Sequence, residues 1–156
     1  MVSDTMEGSP APDFELPSDG GGRIRLSGLR GRKIVLYFYP KDDTSGCTRE
    51  AVDFSALVDD FGKAGAVVVG VSPDPVAAHD RFKAKHDLAI GLASDEEKAV
   101  LQAYGVWKEK SMYGRKFMGV ERSTFLIDGN GVIRRIWRKV KVAGHAEEVL
   151  QAARAV

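Results

Sequence analysis

The single cysteine, Cys47, stands in the run Tyr37-Phe38-Tyr39-Pro40-Lys41-Asp42-Asp43-Thr44-Ser45-Gly46-Cys47-Thr48-Arg49-Glu50, where a hydrophobic strand passes through a polar turn into a helix. A cysteine in the first turn of a helix faces backbone N–H groups without intrahelical acceptors and the positive end of the helix dipole. Both favour thiolate over thiol. Lone cysteines are commonly small buried hydrophobes. The neighbours here, Gly46, Thr48, Arg49 and Glu50, are small, polar or charged, so Cys47 reads as a nucleophilic, redox-active thiol. Pro40 would fix the strand exit and shield the sulfur, Thr44 can direct a hydroxyl toward sulfur and substrate oxygen, and Gly46 lets the backbone approach closely. Each also has a purely structural reading, as strand terminator, helix N-cap and turn glycine.

The elements around this run must place it. Ile34 to Tyr39 is a continuous apolar stretch of strand length, expected at the centre of a sheet and ended by Pro40. From Cys47 to Ala64, the residues Ala51, Phe54, Leu57, Val58 and Phe61 recur at helical spacing, with Gly62 and Gly65 suited to a C-terminal cap. Ala66 to Val71 reads as a second buried strand, and Ser72-Pro73-Asp74-Pro75 opens a helix containing Ala78, Phe82 and His86. Upstream, Phe14 and Leu16 alternate with polar residues, and Ser18-Asp19-Gly20-Gly21-Gly22 turns them into Arg23-Ile24-Arg25-Leu26, an N-terminal β-hairpin. The glycines lack the Gly-Lys-Ser/Thr ending of a phosphate loop. Downstream come a short strand from Leu88 to Ala93, a helix start at Ser94-Asp95-Glu96-Glu97 and a polar loop from Trp107 to Arg115. Ser123 to Ile127 and Val132 to Trp137 form a hairpin about Asp128-Gly129-Asn130-Gly131, and a last helix spans Gly144 to Ala155. This order predicts an α/β, thioredoxin-like fold: a mixed central sheet with helices on both faces and an N-terminal β-hairpin, residues 1–156 making one domain.

Twenty-three basic and 22 acidic residues among 156 leave a net charge of +1, which offers no long-range attraction for nucleic acid or an anionic membrane. Met1 to Pro12 carries no apolar signal core, and the chain has no run long enough to span a bilayer, so a cytoplasmic protein is expected. One cysteine excludes an internal disulfide or a cysteine-based zinc site. His79, His86 and His145 lack metal-ligand spacing and read as solvated helix residues. Arg134, Arg135, Arg138, Lys139 and Lys141 read as a solvated hairpin face.

Pro40, Thr44 and Cys47 match the Pro-x-x-x-Thr-x-x-Cys signature of peroxiredoxins. Tyr37 to Glu50, Lys110 to Arg115, Gly119 to Asp128 and Trp137 to Val142 resemble the bacterioferritin-comigratory-protein or peroxiredoxin Q group, and the resemblance runs from about Gly8 to the final helix. It implies a thiol peroxidase that reduces hydrogen peroxide or alkyl hydroperoxides through a Cys47 sulfenic acid, without metal or organic cofactor. It also implies that Arg122 reaches Cys47 from the entrance of a strand, holding the thiolate and the peroxide oxygens, and that Glu50 orients Arg122. A guanidinium, always charged, suits both tasks.

The chain departs from the group at Ser45, where a proline is frequent, and at Val52, where many members carry a resolving cysteine. An external thiol must therefore reduce the sulfenic acid: thioredoxin, a glutaredoxin, a low-molecular thiol or a second copy of Cys47. A monomer, or a homodimer linked through Cys47, is expected. The competing readings are a thiol–disulfide oxidoreductase, which lacks its Cys-x-x-Cys pair here, and a redox-sensing chaperone or interaction module, for which Thr44 and Arg122 would serve no purpose.

Overall fold

The computed structural model describes residues 5–156; Met1–Asp4, the start of the segment read for a targeting signal, lies outside the described residues. Glu15–Pro17 (β1) and Arg23–Arg25 (β2) pair antiparallel with Leu16 opposite Ile24, forming the N-terminal hairpin. Lys33–Phe38 (β3) follows, then two helices, Ser45–Ala56 (α1) and Val58–Lys63 (α2), and Ala66–Ser72 (β4). The single helix expected from Cys47 to Ala64 is thus broken at Leu57, whose φ/ψ of −102°/7° leaves the α region. The break turns Phe61 into the core beneath α1.

Val76–His86 (α3), Gly91–Ser94 (β5) and Ala99–Ala103 (α4) complete the middle of the chain. The helix start read at Ser94 to Glu97 lies upstream of α4, because Asp95 stays outside and its Oδ2 accepts from the N–H of Leu101 at 2.8 Å. Trp107–Met112 (β6) and Arg115–Val120 (β7) form an antiparallel ribbon where a polar loop was expected. Ser123–Ile127 (β8), Ile133–Trp137 (β9) and His145–Ala155 (α5) close the chain.

The main sheet has the order β5-β4-β3-β8-β9, with β3, β4 and β5 parallel and β8 and β9 antiparallel to their neighbours. Side chains alternate across β3 with the period of two that a strand imposes. Val35, Tyr37 and Tyr39 face a core built with Phe54 of α1, Phe61 of α2, Phe82 of α3 and Val149 of α5. Ile34, Leu36 and Phe38 face the opposite core, built with Val100 and Leu101 of α4 and with Leu16 and Leu26 around the hairpin. All five residues from Ile34 to Phe38 are buried, as a strand covered on both faces requires. Helices therefore lie on both faces of a mixed sheet, the thioredoxin-like arrangement.

The carboxyl ends of β3 and β4 and the amino end of β8 meet at one edge, since Phe38 pairs with both Val71 and Ser123. The loops leaving that edge carry the chemistry.

Candidate active site

At this edge the β3 ladder runs as far as the N–H of Tyr39, which donates to Val71 O at 3.1 Å; Pro40, with no N–H, ends it. The chain then turns through Asp43, at φ +60°, into α1. Thr44 occupies the N-cap position in backbone geometry, but its hydroxyl does not cap the helix. Oγ1 donates instead to Lys41 O at 2.8 Å, which commits its proton and leaves its lone pairs as acceptors. The N–H groups of Gly46 and Cys47 precede the first intrahelical donor, Thr48 N, which reaches Thr44 O at 2.8 Å.

Cys47, Glu50, Ala51 and Phe54 form the buried face of α1, spaced i, i+3, i+4 and i+7. Cys47 is only 1% exposed and packs in the core with Tyr37 and Phe54, so its polar sequence neighbours did not signal an exposed side chain. What separates it from an inert core cysteine is Arg122, in the short segment between β7 and β8. Nη2 of Arg122 donates to Cys47 Sγ at 3.3 Å, and Nη1 donates to Glu50 Oε1 at 2.6 Å. A Cβ on Gly46 would lie 3.3 Å from Nη2, so the missing side chain leaves room for the guanidinium. Arg122 is itself held by its carbonyl, which accepts from Val140 N at 3.0 Å.

Glu50 is 1% exposed, and its Oε2 has no hydrogen-bond partner among the described residues. Burial pushes its carboxyl up to about 7, against the lowering charge and hydrogen bond of Arg122. The Tyr37 hydroxyl, also buried and without a partner, lies in the same core; burial raises it well above the usual phenol range, helped by the charges of Glu50 and Cys47. One guanidinium therefore serves two acids in a low-dielectric setting, where its charge acts most strongly.

The site residues read from the sequence come together on two stretches. Pro40, Thr44, Gly46, Cys47 and Glu50 sit on the loop and first turn after β3, and Arg122 comes from 75 positions beyond Cys47 to bond its sulfur. Val52 is 41% exposed on the opposite side of α1. A cleft of about 630 Å³ lined by Ile24, Leu29, Val58 and Val67 holds none of these residues.

Two histidines correct the solvated reading. His79 is fully buried, with Nδ1 2.6 Å from Asp42 Oδ2 and Nε2 3.0 Å from Ala93 O. His145 is 6% exposed and 2.8 Å from Thr124 Oγ1; burial lowers its pKa to about 4. The sequence pointed to no role for Asp42, although it lies within the run from Tyr37 to Glu50, and did not place His79 in this region at all. The one available signal was Phe82, three positions after His79 on the apolar face of the same helix.

Residues 8–136 match the family described as AhpC/TSA. The chain is 49% identical to peroxiredoxin Bcp of Xanthomonas campestris over 156 residues, covering 99% of this chain and 98% of that protein. It is 50% identical to peroxiredoxin Bcp of Bacillus subtilis over 144 residues, 92% of each. The solved structure of Xanthomonas campestris peroxiredoxin Q superposes with a TM-score of 0.88 at 50% identity, covering 91% of this chain and 90% of that one. A trapped intermediate/ligand complex of the Xanthomonas campestris bacterioferritin comigratory protein, described for its alkyl peroxide reduction activity, superposes at 0.87 with 49% identity and the same coverage. With its cysteine, arginine and threonine gathered at the end of β3, the chain belongs to the AhpC/TSA family, as a peroxiredoxin of the Bcp or Q type with a single cysteine.

Proposed function

We propose that the chain reduces hydrogen peroxide and alkyl hydroperoxides with Cys47 as the only nucleophile and an external thiol as the reductant. The contact from Arg122 Nη2 to Cys47 Sγ at 3.3 Å carries this reading, because it sets a permanent cation against a sulfur otherwise enclosed by core side chains. The thiolate attacks the terminal peroxide oxygen, the O–O bond breaks, and water or an alcohol leaves with a proton as Cys47 becomes a sulfenic acid. Thr44, its proton engaged by Lys41 O, accepts from the incoming hydroperoxide. The N–H groups of Gly46 and Cys47 and the Arg122 guanidinium stabilise charge passing to the leaving oxygen, Glu50 orients Arg122, and Pro40 closes the pocket from the strand side.

With one cysteine in 156 residues, the sulfenic acid has no internal resolving partner. Thioredoxin, a glutaredoxin or a low-molecular thiol then completes each cycle for a monomer in the reducing cytoplasm. Counting the peroxide consumed per chain tests this. Without added thiol, consumption should stop within a few equivalents per chain, as Cys47 passes to sulfenic acid and, in excess peroxide, on to sulfinic acid; it should continue for many cycles once a competent thiol is supplied, and vanish in Cys47→Ser. Sustained turnover in the absence of thiol would contradict it.

A further inference from the structure

A second buried polar cluster lies behind the pocket loop. Asp42 Oδ1 accepts from the Tyr39 hydroxyl at 2.5 Å, its Oδ2 meets His79 Nδ1 at 2.6 Å, and its N–H donates to Asp74 Oδ2 at 2.8 Å. Asp74 Oδ2 also accepts from Ser72 Oγ at 2.6 Å, and His79 Nε2 faces Ala93 O at 3.0 Å. The side chains of Asp42, Asp74 and His79 place three potential ligand atoms within 4.8 Å of one another, and both carboxylate oxygens of Asp42, Oδ2 of Asp74 and both ring nitrogens of His79 already have hydrogen-bond partners. The cluster is a closed network joining β3, the pocket loop, the turn before α3, α3 itself and β5.

Its wiring leads to Thr44. A carbonyl can only accept, so His79 Nε2 carries a proton toward Ala93 O, and a second proton must lie between Nδ1 and Asp42 Oδ2. Asp42 so anchored holds the preceding residue, Lys41, whose carbonyl accepts the Thr44 hydroxyl at 2.8 Å. We propose that Asp42 and His79 are positioning residues for peroxide reduction: their shared proton pins the 40–46 loop to α3 and so sets the Thr44 hydroxyl over Cys47.

This rests on the assignment of Thr44 and Cys47 made above. The groups facing His79 are Asp42 on the loop, Asp74 on the turn before α3 and Tyr39 just beyond β3, with β5 adding the Ala93 carbonyl. Burial opposes the imidazolium, but the hydrogen bond and charge of Asp42, the Ala93 carbonyl and the charge of Asp74 together hold His79 above the ordinary histidine range. Both bonds are complete below that raised value; as the pH climbs through it, neutral His79 has one N–H for two acceptors, so it can no longer donate to both Asp42 and Ala93 and the tie between loop, α3 and β5 weakens.

The test compares two reactions of Cys47 across pH: oxidation by hydrogen peroxide, which uses Thr44, and alkylation by iodoacetamide, which does not. His79→Leu should slow the peroxide reaction by about 10-fold or more, since a 1 Å misplacement can cost ~10²-fold, while alkylation changes by less than about 3-fold. Thr44→Val should show the same selective loss. In the wild type, the ratio of the two rates should fall on the alkaline side. Asp42→Asn, whose amide can donate to neutral His79 without titrating, should flatten that fall. The proposal is overturned if folded His79→Leu keeps its peroxide rate, if both reactions slow equally, or if Asp42→Asn keeps the alkaline fall. Should His79→Leu not fold, the wild-type and Asp42→Asn pH profiles decide alone. A wild-type peroxide rate no faster than that of free cysteine would instead remove the peroxidase assignment itself.

Discussion

Arg122 has one charge and two acidic neighbours, Glu50 at 2.6 Å and Cys47 at 3.3 Å, and its worth to the reaction follows from that arrangement. Arg122→Met should lower the peroxide rate by about 10²–10³, the usual cost of losing one preorganised donor aimed at developing charge; stopped-flow oxidation under pseudo-first-order conditions reads it directly. Glu50 predicts a pH dependence of stability. Its folded carboxyl titrates near 7, above the usual 4.5, so between those values the unfolded chain ionises first and stability declines as the pH rises. Urea titrations of wild type against Glu50→Gln should show the difference shifting against the wild type, on the order of 2–3 kcal/mol, from pH 4.5 to 7.5, and a flat difference would refute it. Cys47 was legible because a helix-start cysteine among polar residues has few other uses. The burial of Glu50 was obscured by the charged Arg49 and Asp53 beside it, the first exposed and the second half-buried, although its i+3 spacing from Cys47 places it on the apolar face. Asp42 and His79 stayed hidden because 37 positions separate them and only the approach of α3 to the pocket loop joins them.

At the scale of elements, the site depends on how tightly β3 and β4 are packed beneath α1. Gly70 lies opposite Tyr37 across the parallel pair, and a Cβ there would sit 2.7 Å from the Tyr37 ring. The ring itself is stacked on Phe54 of α1 with centroids 4.8 Å apart. Gly70→Ala should therefore cost about 1–3 kcal/mol by overpacking, measurable as a lower urea midpoint at unchanged slope. The continuous apolar runs of β3 and β4 revealed these strands because strands buried on both faces have no polar side to disguise them. The β6–β7 ribbon escaped notice for the opposite reason. Both of its faces meet solvent for most of its length, with Met112, Phe117 and Met118 exposed between charged residues, so no period-two contrast marks it. The split at Leu57 was equally invisible, since Leu57, Val58 and Phe61 keep helical spacing on either side of it.

For the whole molecule, the mixed sheet brings the ends of β3, β4 and β8 to one edge, so two stretches far apart in sequence make a single site. The element order foretold that sheet, but the pairing of Arg122 with Cys47 came from resemblance to a family, since no periodicity links positions 75 apart. The lone cysteine carries a further consequence. With no second thiol in the chain, oxidation should run on when peroxide exceeds reductant. Intact-mass spectra should then show sulfinic acid at Cys47, and its absence under a large excess would show that the sulfenic acid is protected. The most direct measurement of the central claim is the second-order rate constant for oxidation of reduced Cys47 by hydrogen peroxide, compared with free cysteine and with Arg122→Met under the same conditions. The site described here predicts a wild-type rate orders of magnitude above free cysteine and a large loss in the variant. A wild-type rate equal to that of free cysteine would contradict it.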